Sequence, residues 1–354
     1  MTSFQVGAHT IGHDAPVYFI ADVGANHDGD LGRAKSLIHA CAEAGAQAAK
    51  FQNFKASKIV SRHGFEAMGG KLSHQSGWKK SVYEVYEDAS IAQDWTSILK
   101  QTCDEAGVEY CTSPYDTDSV DHVDPYVRIY KIGSGDITWP AMLDYIAAKG
   151  KPVMLACGAS SAEDVERAMA VLGARSNQLV LMQCNTNYTG SAENFQHVNL
   201  NVLRDFAVKY PSAVLGLSDH TTGHATVLGA VALGARVIEK HFTDDNARTG
   251  PDHGFAMNPR TWREMVDRTR ELELALGDGT KRIEANEQQS VQVQRRSLRA
   301  TRDLAIGDPI TAGDLEALRP IPSDGIEPYR LAELIGKRLV RALTRGAHIT
   351  WEHI

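Results

Sequence analysis

The chain has 354 residues, enough for one large domain and a small one, and 43% of them are hydrophobic, enough to bury a full core. A formal net charge of −7 excludes a general polyanion-binding surface and removes nucleic acid from the expected partners, while leaving room for a local basic pocket. The opening MTSFQVGAHTIGHDAP has no basic start followed by an apolar core, no stretch reaches bilayer length, and the five cysteines form no CxxC pair; a cytoplasmic chain with free buried thiols and no membrane contact is expected.

Val17 to Asp22 reads as the first strong strand and runs into a polar, Gly-rich turn. A helix follows over Leu31 to Ala44, stopped by Gly45. Ala46 to Phe51 is the second strand, and Asn53 to about Lys80 reads as an irregular loop over a site. Helical spacing resumes from Ile91 to Ala106. Further strands are expected over Val108–Thr112, Val127–Ile132, Pro152–Ala156, Leu179–Cys184, Val214–Leu217 and Arg236–Glu239. Helices fill the gaps, with Gly150, Gly173 and Gly234 as stops. Eight strands alternating with helices over about 280 residues match a (β/α)8 TIM barrel. A doubly wound open sheet would place a Gly-rich phosphate turn after its first strand. Here polar groups follow nearly every strand, which favours a closed barrel with a central site.

The stretch from Leu215 to Asp252 carries the strongest signal. It reads as strand, loop, helix and strand, with His220 and His241 just past the two strands. On neighbouring strands these imidazoles face one point and suit a divalent metal with open positions. After Lys281 the composition shifts: 282–294 is polar and reads as a linker or helical arm, and 295–354 alternates short β-like pieces with turns. A segment this small is near the lower limit for an independent core.

The run GLSDHT…GAVALGA…IEKHFT…GPD resembles the sialic acid synthase family, whose members condense phosphoenolpyruvate with an N-acetylated sugar aldehyde; further matches run along almost the whole chain. The resemblance implies a TIM-barrel synthase domain over 1–281 and a small β-rich antifreeze-like (SAF, β-clip) domain over 295–354, reaching a partner's active site in a domain-swapped homodimer. It implies manganese or magnesium on His220 and His241. It implies phosphoenolpyruvate contacts from Lys50, Lys131, Ser134 and Ser218, and from Thr112, taken as the match in CTSPY to the family's STPF; Gln52 and Thr186 are further substrate-binding candidates. Tyr188 and Asp252 match sugar contacts, and Arg319 matches an arginine that touches the N-acyl group from the partner subunit. Asp22 and Asp136 are the acid–base candidates; most members have Glu at Asp22, a carboxylate reaching about 1.5 Å further. Ala156 replaces a family serine, and Thr186 falls where the family has asparagine, with Asn185 and Asn187 beside it.

The implied reaction joins phosphoenolpyruvate to an open-chain amino sugar and releases phosphate, giving a nonulosonic acid. N-acetylmannosamine, a 2,4-diacetamido-6-deoxy hexose or a less usual aldehyde all remain open as acceptor. A related synthase making another 3-deoxy-2-ulosonic acid, a metal-dependent barrel hydrolase, and a non-catalytic sugar-binding derivative are the alternatives.

Overall fold

The computed structural model of the protein describes residues 3–69, 75–76 and 78–354. It comprises two compact units, Met1–Gly277 and Asp278–Ile354. The first opens with an antiparallel hairpin, β1 (Ser3–Val6) and β2 (His9–Gly12). Eight parallel strands follow: β3 (Tyr18–Asp22), β4 (Ala48–Asn53), β5 (Glu109–Pro114), β6 (Tyr130–Ile132), β7 (Val153–Ala156), β8 (Leu179–Cys184), β9 (Val214–Asp219) and β10 (Val237–His241). Their order in the sheet is β5-β4-β3-β10-β9-β8-β7-β6. The two end strands, β5 and β6, lie side by side with Cα atoms within 8 Å, so the sheet closes on itself as a TIM-like barrel.

These strands are near-continuous apolar runs because both faces are buried. Alternate residues separate into two clusters. Tyr18, Ile20, Ala48, Cys111, Met154, Met182, Val214 and Val237 fill the barrel interior. Phe19, Phe51, Tyr110, Leu155, Leu181 and Ile238 pack outward against the helices. The hairpin adds Phe4, Val6 and Ile11 to the interior cluster, closing its amino-terminal end. Sequence reading did not find the hairpin, whose four-residue strands are too short to show a period.

The helices start on local signals. Asp30 accepts a hydrogen bond from the Arg33 amide at 3.0 Å and begins the helix Leu31–Glu43, which buries Ala34, Leu37, Ile38 and Cys41. The expected loop after β4 is more ordered than its composition suggests. It carries short helices at Ala56–Ile59 and Arg62–Ala67, the second capped by Ser61 accepting from the Gly64 amide at 3.0 Å. Residues 70–74 and 77 of that loop lie outside the described residues. A further helix, Val82–Ala89, starts on a reciprocal Ser81–Glu84 box.

In the second unit, β11 (Ser297–Ala300) pairs antiparallel with β12 (Leu315–Leu318). Leu298, Leu304, Ile310, Ile326, Leu334, Leu343 and Ile349 form its own small core. The stretch before β11, expected as a linker or helical arm, contains the helix Gln288–Gln294, which accepts a hydrogen bond from the Ile321 amide on Gln292 O at 2.9 Å. No helix among the described residues is long and apolar enough to cross a membrane.

Candidate active site at the carboxyl end of the barrel

Period-two alternation decides which side chains enter the barrel mouth. Carrying the interior face one step further along each strand brings in Asp22, Lys50, Ser113, Lys131, Ala156, Cys184, Ser218 and Glu239. All eight line one cavity of about 190 Å3, joined by Gln52, Ser134, Tyr188, His220, His241 and Asp252. Parallel pairing sets Asp22 opposite both Lys50 and His241, and Ser218 opposite Glu239.

The floor is a buried charge network. Lys50 Nζ lies 2.7 Å from Asp22 and 3.7 Å from Glu239, and Lys131 Nζ lies 3.3 Å from the other Glu239 oxygen. Burial disfavours the Lys50 ammonium, but Asp22 and Glu239 outweigh it and hold its pKa above the ordinary value. Burial likewise pushes Glu239 up, and the two ammoniums bring it below the ordinary carboxylate value. Two cations balanced by two carboxylates leave no net charge until a ligand arrives. Glu239 was not picked out from sequence. Its signal was a carboxylate on the interior face of an otherwise apolar strand, where burial demands a charged partner.

His220 Nδ1 lies 2.8 Å from the Asn185 carbonyl. A carbonyl only accepts, so Nδ1 carries the proton and Nε2 keeps its lone pair. Burial and the neighbouring His241 push the His220 pKa down to about 3, so the ring is neutral. The His220 and His241 ring centroids are 5.4 Å apart. Tyr188 packs 4.2 Å from the His220 ring, and Phe255 5.1 Å from His241. His241 Nδ1 is buried without a hydrogen-bond partner, 3.6 Å from Asp252. Among the described residues, no group of three or more His, Cys, Asp or Glu side chains is arranged to hold a metal. The imidazole pair still suits one: a neutral ring with a free nitrogen beside a buried, unpartnered nitrogen, with the other positions left to substrate and water.

The turn after β3 fits tightly under these rings. Gly24 has φ +50°, and a Cβ there would come within 2.9 Å of Asp252 and 3.1 Å of His241 Nδ1. Its amide donates to Asp22 Oδ1 at 3.0 Å, and the Ala25 amide donates to Asp252 at 3.3 Å. Sequence reading also passed over His253, fully buried, which ties the Asp252 loop to Asp28 at 3.0 Å.

Four of the predicted residues are not among those lining the cavity. Thr112 points outward and donates to Asn53 Oδ1 at 2.6 Å. Its neighbour Ser113 enters the cavity instead, with its buried Oγ unpartnered. Aligned on the proline, CTSPY sets Ser113 against the threonine of STPF and Tyr115 against its phenylalanine, so the assignment of Thr112 was one residue out of register. Thr186 stands beside Gly158, its methyl 2.5 Å from where a Cβ on that glycine would lie. Asp136, in the turn after β6, is partly buried, and burial raises its pKa to about 6. Arg319 belongs to the second unit, where it is exposed.

A model of the NeuB family matches residues 37–281, and a SAF domain model matches 295–354. The chain belongs to the NeuB family. It is 34% identical to the N,N'-diacetyllegionaminic acid synthase of Legionella pneumophila, over 97% of this chain and 96% of that one. The pseudaminic acid synthase of Campylobacter jejuni is 30% identical over 94% of this chain and 95% of its own. The crystal structure of an N-acetylneuraminic acid synthetase from Leptospira borgpetersenii in complex with citrate superposes with a TM-score of 0.73 at 28% identity, covering 82% of this chain and 95% of that one. Relatives of this NeuB-family chain are thus named as synthases of nonulosonic acids, and its barrel and SAF unit agree with the architecture read from sequence.

Proposed function

We propose that the chain condenses phosphoenolpyruvate with an N-acylated amino-sugar aldehyde, forming a nonulosonic acid and phosphate. The observation that carries this reading is the meeting of Lys50 and Lys131 with His220 and His241 in one cavity. The two ammoniums, with Ser113, Ser134 and Ser218, would hold the phosphate and carboxylate of phosphoenolpyruvate. C3 of phosphoenolpyruvate attacks the aldehyde carbon, water adds at C2, and phosphate leaves with cleavage of its bond to carbon. Asp22 or Asp136 would orient or deprotonate that water. His220 Nε2 and His241 would hold a manganese or magnesium ion, which when bound polarises the aldehyde oxygen. The protein's main contribution is to bring both substrates together.

The acceptor end of the cavity is lined by Phe54, Ile59, Trp78, Val85 and Tyr86. Among the described lining residues, Lys50 and Lys131 are the lysines and no arginine is present. Such a wall favours an uncharged sugar with acetamido and methyl groups, such as a 2,4-diacetamido-6-deoxy hexose, over a phosphorylated one. Arg319 of a partner subunit would complete the acceptor site in a swapped homodimer, the role the resemblance implies. The test is to incubate the protein with phosphoenolpyruvate, manganese and a panel of amino-sugar aldehydes. Phosphate release with an adduct of the expected mass is the expected result. Aldehyde-dependent phosphate release with a non-amino sugar alone would favour the other 3-deoxy-2-ulosonic acid synthases, and none with any aldehyde would favour a sugar-binding derivative.

A further inference from the structure

The aromatic wall contains two hydroxyls to which the reaction above gives no task. Tyr115, just past β5, and Tyr86, on the helix Val82–Ala89, both line the cavity. Phe54 packs between them, its ring centroid 5.8 Å from Tyr115 and 5.5 Å from Tyr86. The Tyr115 hydroxyl reaches across the end of β6, 3.3 Å from where a Cβ on Gly133 would lie. Neither phenol oxygen has a hydrogen-bond partner among the described residues. A protein seldom places two phenols on a cavity wall with nothing to bind, because each hydroxyl must otherwise be satisfied by solvent.

We propose that Tyr115, with Tyr86, recognises neutral oxygens of the acceptor sugar and so sets which aldehyde is used; this rests on the condensation reading above. The anionic substrate already has two ammoniums and three serine hydroxyls. Tyr86 belongs to the wall of Phe54, Ile59 and Val85, and Tyr115 is joined to that wall through Phe54. A phenol donates to a carbonyl or hydroxyl and also accepts from a hydroxyl, which suits a polyhydroxy amide. Its ring meanwhile covers the sugar's C–H face. A site built this way rejects analogues that lack the matched oxygen, because the phenol would be left unpaired. Tyr115 stands at the boundary of the two halves, so its partner is an oxygen near the reacting end of the sugar. Tyr86 lies further along the acceptor wall.

The experiment compares the wild-type protein with Tyr115→Phe, Tyr86→Phe and the double variant, each of which loses only oxygen atoms. Calorimetry without sugar gives the phosphoenolpyruvate affinity. Steady-state rates over a panel of amino-sugar aldehydes and their monodeoxy analogues give the acceptor KM. Y115F is expected to raise the acceptor KM roughly five- to tenfold, with phosphoenolpyruvate affinity within about twofold of wild type. One deoxy analogue should be used equally well by Y115F and wild type, because its partner oxygen is already missing. An unchanged acceptor KM in both single variants, or a loss confined to phosphoenolpyruvate binding, overturns the proposal. Y86F, on a separate element, supplies the same measurement should Y115F not fold. If wild type releases no phosphate with any aldehyde, the condensation reading fails, and direct calorimetric titration of the same sugars then decides the role of the phenols. Sugar binding weakened by either variant upholds that role; no sugar binding by wild type overturns it.

Discussion

Asp22 and Lys50 face each other across neighbouring strands at 2.7 Å, each with 3% of its side chain exposed. Removing one partner of a buried pair leaves an uncompensated charge, which costs about 3–5 kcal/mol. Glu239, 3.7 Å from Lys50, would remain as a partial substitute. Asp22→Asn should therefore lie near the lower end of that range in a denaturant titration and lose at least tenfold in turnover. Asp22→Glu keeps the charge and should be far milder on both counts. Equal, severe losses would show that the length and placement of the Asp22 side chain in its turn, not its charge alone, are what the site needs.

If His220 and His241 hold the proposed metal, replacing either imidazole should abolish tight manganese binding. His220→Ala and His241→Ala are expected to weaken affinity at least hundredfold by calorimetry, because two protein ligands cannot be halved without losing chelation. The fold should persist, as both side chains sit at the barrel mouth rather than in its core. Unchanged manganese affinity in H241A would remove it as a ligand.

The raised pKa of Asp136, about 6 against an ordinary 3.8, gives a pH signature. A carboxyl with a higher pKa folded than unfolded takes up a proton on folding. Its contribution to stability is complete below about pH 4 and lost as pH rises through about 6. Asp136→Asn should remove that pH dependence and leave the variant more stable than wild type, relative to low pH, above pH 6. If the ionised carboxylate serves the water, kcat/KM of wild type should rise with an apparent pKa near 6, and this limb should vanish in the variant. A limb that persists in D136N would assign it to another group.

Sharing of the site between subunits is tested by mixing two inactive variants, H241A and R319A. In a swapped dimer one hybrid site carries both lesions and the other neither, so about a quarter of wild-type activity should return at random pairing. No recovery under demonstrated subunit exchange would mean that each chain completes its own site.

Much of this was legible because barrel strands advertise themselves. VYFIAD and LVLMQC are apolar on both faces until a polar residue, Asp22 or Gln183, interrupts the run near its end, so strands and mouth could be placed together. The register of a single strand was harder. In CTSPY both Thr112 and Ser113 carry hydroxyls, and only the pleat reveals that Ser113 faces inward while Thr112 bonds Asn53. Glu239 was obscured by its neighbours Lys240 and His241. Lys240 turns outward to a buried ion pair with Asp219, a partner from the adjacent strand that no local spacing shows. The helices after β4 escaped notice because they are four and six residues long, too short for a period to register.

The two halves of the cavity have different origins along the chain. The lysines, serines and imidazoles stand on or just beyond the ends of the barrel strands. Phe54, Ile59, Trp78, Val85 and Tyr86 all come from the single connection between β4 and β5. That connection is thus an exchangeable cassette. Grafting it from one relative to another, together with the side chain at position 115, should transplant acceptor preference while the handling of phosphoenolpyruvate is inherited unchanged from the host barrel.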